Sequence, residues 1–140
     1  MKCSLLFDAS SIFTLIRESP GYASDKLVEG STISLVYYEL GNATWRECFL
    51  LKKMSRQEAE KLLRAIFEIL QDMDVVPLKD EDEGIAVLDK ACKFNLTYHD
   101  SAYVSEALSS KKILVTDDKK LAKAAENAGV KTLTSRDLTK

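Results

Sequence analysis

Acidic side chains recur at the points of this 140-residue chain where a strand is expected to end or a helix to begin. Asp8 follows a short apolar run, and Asp117 and Asp118 follow the clearest buried strand pattern in the chain. Glu39 and Asp100 fall in the first turns of two expected helices. Because the carboxyl ends of parallel strands and the helices that follow them face one edge of a sheet, we expect these acids to meet there.

Several carboxylates at one edge repel one another unless a cation lies between them. Two of them ~5 Å apart, at an effective dielectric constant of ~20, repel by about 3 kcal/mol. Mg²⁺ and Mn²⁺ prefer oxygen ligands and keep several waters, which suits an acidic pocket. The chain has one histidine, His99, and scattered cysteines, so a closed His/Cys cage is not indicated. The residue types therefore predict a Mg²⁺ or Mn²⁺ site.

Each acid taken singly also has a structural explanation. Asp8 and Asp117 could cap helices, and Asp100 could complement a helix dipole. Glu39 is harder to explain in this way, because the helix opening around it, Val36–Ala43, is otherwise largely apolar. Asn42 lies one turn after Glu39 on the same helix face, which adds a second polar group at that point.

The elements that must position these acids can be read from hydrophobic periodicity and turn residues. Five strands are predicted, at about residues 3–7, 32–36, 74–78, 112–116 and 130–133. Pro77 places the third of them at a sheet edge. Helices are predicted over about 22–29, 37–51 and 55–71, and others open after Asp8, at Asp80–Glu83, at Thr97 and after Asp118. This alternation indicates one α/β/α domain, residues 1–140, with a mainly parallel sheet of about five strands.

Composition narrows the class of protein. The net charge of −2 excludes a generally basic protein that binds nucleic acid by covering its phosphates. The N-terminal apolar run is too short for a signal peptide, and no run approaches ~18 apolar residues, so we expect a cytoplasmic protein. The cysteines, Cys3, Cys48 and Cys92, have no metal-site spacing and are expected to be reduced, buried and structural.

Four segments of the chain resemble the acidic motifs of PIN-domain ribonucleases, in the same order and with similar spacing. They are Leu6–Ser11 (LFDASS), Tyr38–Ala43 (YELGNA), Tyr98–Val104 (YHDSAYV) and Leu114–Leu121 (LVTDDKKL). The size of the chain is similar to that of VapC toxins of type II (VapBC) toxin–antitoxin pairs. Ser101 stands where family members often carry alanine, a change that leaves the third motif readable.

The resemblance implies a role for each of these residues. The catalytic, metal-binding acids are expected to be Asp8, Glu39, Asp100 and Asp118. Further polar side chains are expected to support the pocket: Ser10, Asn42, Thr116 and Asp117. Within the family's Thr-x-Asp motif, Asp117 occupies the variable middle position, where it either caps the following helix or supports the pocket.

The resemblance also implies an activity and partners. The activity is Mg²⁺- or Mn²⁺-dependent endoribonuclease cleavage of single-stranded or loop RNA, which leaves a 5′-phosphate and a 3′-hydroxyl. The partners are a second copy of the chain and a small VapB-type antitoxin that covers the pocket. A neighbouring open reading frame for a small DNA-binding protein would indicate a toxin, whereas a lone gene would indicate a housekeeping ribonuclease.

The roles of other residues near the acids can be interpreted in two ways. Lys119 and Lys120 could hold substrate phosphate or simply form an exposed helix start, and His99 could act as a base or as an ordinary surface residue. Neighbours on a helix point ~100° apart, which favours the second reading for His99 beside Asp100. Aromatic residues on apolar helix faces are expected to belong to the core or an interface: Tyr38, Trp45 and Tyr103.

Three other classes of protein share part of this pattern. A phosphohydrolase of the haloacid dehalogenase type needs a second acid two positions after the first, where this chain has Ser10. A response-regulator receiver needs an acidic pair near Asp8 and a further acid after the central strand, which are not evident. A PIN-like binding module without activity is the non-enzymatic alternative, in which some of the acids serve only as helix caps.

Overall fold

Five parallel strands form the sheet of the computed structural model, which describes residues 4–140. The strands are β1 (Leu5–Phe7), β2 (Ser31–Ile33), β3 (Asp74–Val76), β4 (Ile113–Val115) and β5 (Thr132–Leu133). Their order across the sheet is β3-β2-β1-β4-β5, and every pairing is parallel. The predicted parallel sheet is therefore confirmed, with β3 at an edge as Pro77 indicated. Cys3, in the predicted first strand, lies outside the described residues.

The strands alternate with helices. These are α1 (Ala9–Glu18), α2 (Pro20–Leu27), α3 (Val36–Trp45), α4 (Arg56–Asp72), α5 (Glu81–Phe94), α6 (Tyr98–Ser110), α7 (Lys119–Asn127) and α8 (Ser135–Thr139). One hydrophobic cluster packs α1, α2, α3 and α4 on one face of the sheet, and a second packs α6 and α7 on the other. Leu6 and Phe7 belong to opposite clusters because successive strand side chains point to opposite faces. The three-layer α/β/α arrangement is confirmed.

Local signals explain several helix starts. Ser55 and Glu58 form the expected capping box at the start of α4, and Thr97 caps α6 as expected. Pro20 ends α1 but also opens α2 at its first position, where a missing backbone N–H costs nothing. The helix predicted to start at residue 22 therefore begins two residues earlier.

The second strand is shorter than predicted. It ends at Ile33, and Val36, which was expected to finish the strand, is instead the first residue of α3 and is fully buried. A β-branched residue suits a strand locally, but burial against the helical layer decides its place here. After Trp45 the helix continues as a π-helical turn, Arg46–Leu50, within the range predicted as helix.

Few side chains of α5 are buried. Ile85 and Leu88 are about half exposed, and the buried face of α5 consists of Val87 and Ala91. Cys92 is exposed and Cys48 is partly buried, so the expectation that these cysteines are buried is wrong. Because α5 packs mainly on α6 at the outside of the molecule, it buries a narrower stripe than a central helix.

Gly30 provides a test of how closely β2 approaches β1. A Cβ atom at Gly30 would lie 2.5 Å from Cε2 of Phe7, whose ring is fully buried. We expect Gly30→Ala to lower the free energy of unfolding by about 1–3 kcal/mol, as overpacking of a filled core does. Gly21→Ala is the matched control, because a Cβ atom there meets nothing within 4 Å. Urea unfolding measures both, and an unchanged midpoint for Gly30→Ala would contradict the packing.

In the part of the chain that the structure describes, the helices are too short or too polar to cross a membrane.

Candidate acidic site at the carboxyl edge of the sheet

Asp8 lies at the carboxyl end of β1 and caps α1, and it is only 4% exposed. Its Oδ1 accepts a hydrogen bond from the backbone N–H of Ser11 at 2.9 Å, and its Oδ2 accepts one from the hydroxyl of Thr116 at 2.5 Å. The hydroxyl of Ser10 donates to the same carboxylate. Burial raises the pKa of Asp8 to about 6, although these hydrogen bonds act in the opposite direction. The carboxylate is thus held rigidly in a site that disfavours its charge.

Glu39 lies in the first turn of α3 and is partly buried. Its Oε1 accepts a hydrogen bond from the hydroxyl of Tyr103 on α6 at 2.6 Å. Burial raises the pKa of Glu39, the bond from Tyr103 lowers it, and the charge of Asp100 raises it. Glu39 and Asp100 are therefore electrostatic neighbours, although they come from different helices.

Asp100 and Asp118 form the second pair of neighbours. Asp100 is partly buried in the first turn of α6, and its pKa is raised by burial and then by the charge of Asp118. Asp118 is exposed and caps α7, since its Oδ1 accepts hydrogen bonds from the N–H groups of Lys120 (3.0 Å) and Leu121 (3.2 Å). The edge thus carries a chain of repelling carboxylates that runs from Glu39 through Asp100 to Asp118.

Ser10 and Thr116 join the two strand ends beneath this edge. The hydroxyl of Ser10 donates to Asp8 and accepts from the N–H of Asp117 at 3.0 Å. The hydroxyl of Thr116 donates to Asp8 and accepts from the N–H of Asp118 at 3.1 Å. Two hydroxyls therefore bind the end of β1 to the end of β4, which fixes Asp8 relative to Asp118.

The other two supporting residues lie differently. Asn42 is exposed on α3, one turn after Glu39. Asp117 accepts hydrogen bonds from both the N–H and the hydroxyl of Ser135, at 2.9 and 2.7 Å. Of the two roles expected for Asp117, capping of the following helix is excluded, because Asp118 is the cap of α7. Asp117 instead anchors the start of α8, a helix that the sequence analysis did not predict.

Three basic or titratable side chains beside the acids are exposed: His99, Lys119 and Lys120. Lys119 and Lys120 open α7, and the charge of Lys120 lowers the pKa of Asp100. His99 is exposed and also lowers the pKa values of Glu39 and Asp100. Among residues 4–140, none of these three side chains forms a salt bridge to the acids of the edge.

The donor atoms of this edge suit a hydrated divalent ion. Among residues 4–140, no three His, Cys, Asp or Glu side chains form a group that could hold a metal ion as it stands. The neighbouring pairs still fit Mg²⁺ or Mn²⁺, which proteins commonly bind through one or two carboxylates and several waters. Within the described residues, Oε2 of Glu39 and Oδ2 of Asp118 carry no hydrogen bond and remain available. The site therefore offers carboxylate oxygens rather than a closed cage.

Tyr103 is the site residue that the sequence analysis missed, since its place on an apolar face indicated a core residue. It is a core residue, with 1% exposure, but its hydroxyl reaches Glu39. Its position three residues after Asp100 could have indicated that it lies near the site, because this spacing puts both side chains on one face of α6. Spacing on a helix alone could not show that the partner is Glu39, 64 positions earlier.

Known proteins resemble this chain in both sequence and fold. The family model described as PIN domain matches residues 5–127. A protein named "Exonuclease VapC9" from Pyrobaculum aerophilum is 31% identical over 139 residues, which cover 97% of each chain. A crystal structure from the same organism has 27% identity and a TM-score of 0.78, and covers 99% of this chain and 95% of its own.

The fold also recurs at lower identity. The crystal structure of DNA-bound VapBC from Salmonella typhimurium has a TM-score of 0.69 at 12% identity, over 95% of this chain and 98% of that one. At this identity the likeness shows the fold alone. Together, the matching family model and the relative that spans nearly the whole chain show that this chain belongs to the PIN domain family.

Proposed function

We propose that this chain is a Mg²⁺- or Mn²⁺-dependent endoribonuclease and the toxin of a toxin–antitoxin pair. The observation that supports the activity is the convergence of acids from four separate elements on one edge of the sheet. Burial raises the pKa values of three of them, and charge repulsion adds to the shift in Glu39 and Asp100. Such an arrangement is unfavourable by itself and becomes favourable when a divalent cation binds.

Each acid has a distinct role in this proposal. Asp8 supplies a fixed carboxylate, since hydroxyl and backbone donors hold both of its oxygens. Glu39 and Asp118 each keep one oxygen free of hydrogen bonds within the described residues. The charge of Asp100 raises the pKa of Glu39, and the charge of Asp118 raises the pKa of Asp100. A bound cation supplies positive charge that neutralises the phosphate and makes a nearby water more acidic.

The reaction we propose is hydrolysis of an RNA phosphodiester. Water adds to phosphorus, the bond from phosphorus to the 3′-oxygen breaks, and that oxygen takes up a proton. The products are a 5′-phosphate and a 3′-hydroxyl. Because the chain has a net charge of −2, the cation and the exposed Lys119 and Lys120 supply the local attraction for RNA.

The openness of the site favours cutting within a strand. Asp118, Lys119 and Lys120 are all exposed at the rim, so an internal phosphodiester can reach the edge without threading a free end. The relative from Pyrobaculum aerophilum is named an exonuclease, which makes the position of the cut the first question for this chain.

A circular RNA separates the two modes because it has no ends. We expect the protein to linearise the circle and to cut a linear RNA of the same sequence, with Mg²⁺ or Mn²⁺ present and not with chelator. The products are resolved on a denaturing gel. Degradation of the linear RNA alone indicates an exonuclease. No metal-dependent cutting of either RNA contradicts the proposed activity and supports a binding role.

The proposed partners are a VapB-type antitoxin and a second copy of the chain. The likeness in fold to the VapBC structure supports the first. An exposed apolar surface at the end of α3 and in the π-helical turn also suits a protein partner, since its rings stack at 5.8 Å and face solvent. This surface consists of Trp45, Phe49, Leu50 and Leu51.

A further inference from the structure

Tyr103 connects the core of the protein to the acidic edge. Its ring lies in the hydrophobic cluster formed with α6, α7 and the sheet, and the side chain is 1% exposed. Its hydroxyl donates to Oε1 of Glu39 at 2.6 Å, within the short range of charge-assisted hydrogen bonds. A fully buried side chain therefore holds one oxygen of a partly buried carboxylate.

The surroundings of this hydroxyl keep it a donor. Burial, the charge and hydrogen bond of Glu39, and the charge of Asp8 all raise the pKa of Tyr103 far above its usual range, whereas the backbone N–H of Ala9 lowers it. The hydroxyl is the donor of the bond to Glu39, since a carboxylate oxygen accepts. The same causes show that the hydroxyl lies near the β1–α1 junction as well as near α3.

We propose that Tyr103 is the positioning residue of the acidic site, which holds Oε1 of Glu39 in place and leaves Oε2 as the oxygen for a divalent cation. This inference rests on the proposed metal-dependent function. The hydroxyl has no contact with the cation in this scheme and acts only through Glu39, as partners of metal-binding carboxylates do.

A simpler account is that a buried tyrosine hydroxyl needs an acceptor and that Glu39 supplies one. The two accounts differ in what depends on the bond. If the bond only satisfies Tyr103, its removal changes stability and leaves metal affinity alone. If it positions Glu39, its removal weakens metal binding, and only while Glu39 is present.

The test is a calorimetric titration of the whole protein with Mn²⁺ in the absence of RNA. We expect Tyr103→Phe to weaken Mn²⁺ binding about 10–100-fold, the usual effect of losing a partner of a metal ligand. Added to Glu39→Gln, the same substitution is expected to cause no further loss, because the group that it positions is already gone. Tyr22→Phe is the matched control, since its hydroxyl donates to the backbone carbonyl of Leu138 and to none of the acids, so that its loss is expected to leave affinity unchanged.

The outcomes separate the two proposals. If wild type binds no Mn²⁺, the metal-dependent function fails and the role of Tyr103 fails with it. If wild type binds Mn²⁺ and Tyr103→Phe binds it equally well, only the positioning role is overturned. The positioning role is also overturned if Tyr103→Phe weakens Mn²⁺ binding just as much when Glu39 is already replaced by glutamine. In RNA cleavage, Tyr103→Phe is expected to raise the KM for Mn²⁺ with little change in kcat at saturating Mn²⁺. A partly unfolded variant lowers kcat at every Mn²⁺ concentration, which contradicts the positioning role.

Discussion

Asp118→Asn is expected to slow metal-dependent RNA cleavage by more than the ~10–100-fold typical of losing a partner of a metal ligand, because it removes a proposed ligand itself. The substitution leaves the fold in place, since asparagine caps a helix about as well as aspartate does. The cap bonds from Lys120 and Leu121 need only a side-chain oxygen. The loss is measured as initial rates on a labelled RNA at saturating Mg²⁺, with circular dichroism to verify the helices.

Asp117→Asn provides a matched control one residue away. Both oxygens of Asp117 bind Ser135, so its charge is directed to the start of α8 rather than to the other acids. We expect this variant to keep most of its activity and to lose at most about 1–3 kcal/mol of stability through the weakened anchor. Equal losses of activity in the two variants would contradict the assignment of Asp118 as the fourth acid.

Asp8→Asn is expected to be inactive at pH 8 and to lack most of the loss of stability that wild type shows as the pH rises through about 6. Burial raises the pKa of Asp8 from 3.8 to about 6, so the folded state favours the protonated form. The stability that the protonated carboxyl of Asp8 contributes is fully present below pH ~4 and is lost as the pH rises through about 6. At ~1.4 kcal/mol per pKa unit, the charged carboxylate costs the folded protein up to about 3 kcal/mol at pH 8. Asparagine removes that charge and still caps α1, but its amide nitrogen cannot accept the bond from Thr116, a loss of about 1–3 kcal/mol at every pH.

Urea unfolding at pH 5 and pH 8, with chelator present, measures this effect. We expect wild type to lose stability relative to Asp8→Asn between the two pH values, while addition of Mn²⁺ at pH 8 stabilises wild type more than the variant. Glu39 and Asp100 also have raised pKa values, so wild type and variant share a further dependence of stability on pH with the same sign. A constant difference between wild type and variant across pH would mean that Asp8 is charged in the folded protein at pH 5.

The helices and the sheet could be predicted in large part because their signals are local. The capping box of Ser55 and Glu58, the cap at Thr97 and the apolar periodicity of α4 depend on residues within one or two turns. The strand order could not be read in this way, nor could the exposure of Ile85 and Leu88. These depend on where α5 packs, which is a property of the assembled layers.

The sequence alone predicted that the four acids lie at the carboxyl edge, because strand ends and helix starts share that edge in any parallel α/β sheet. Only the tertiary structure decided what holds them. The bonds from Thr116 to Asp8 and from Tyr103 to Glu39 join residues 108 and 64 positions apart, and that of Ser135 to Asp117 joins the site to a helix that was not predicted. Periodicity describes one element at a time, whereas such contacts depend on the distances between elements, which packing sets.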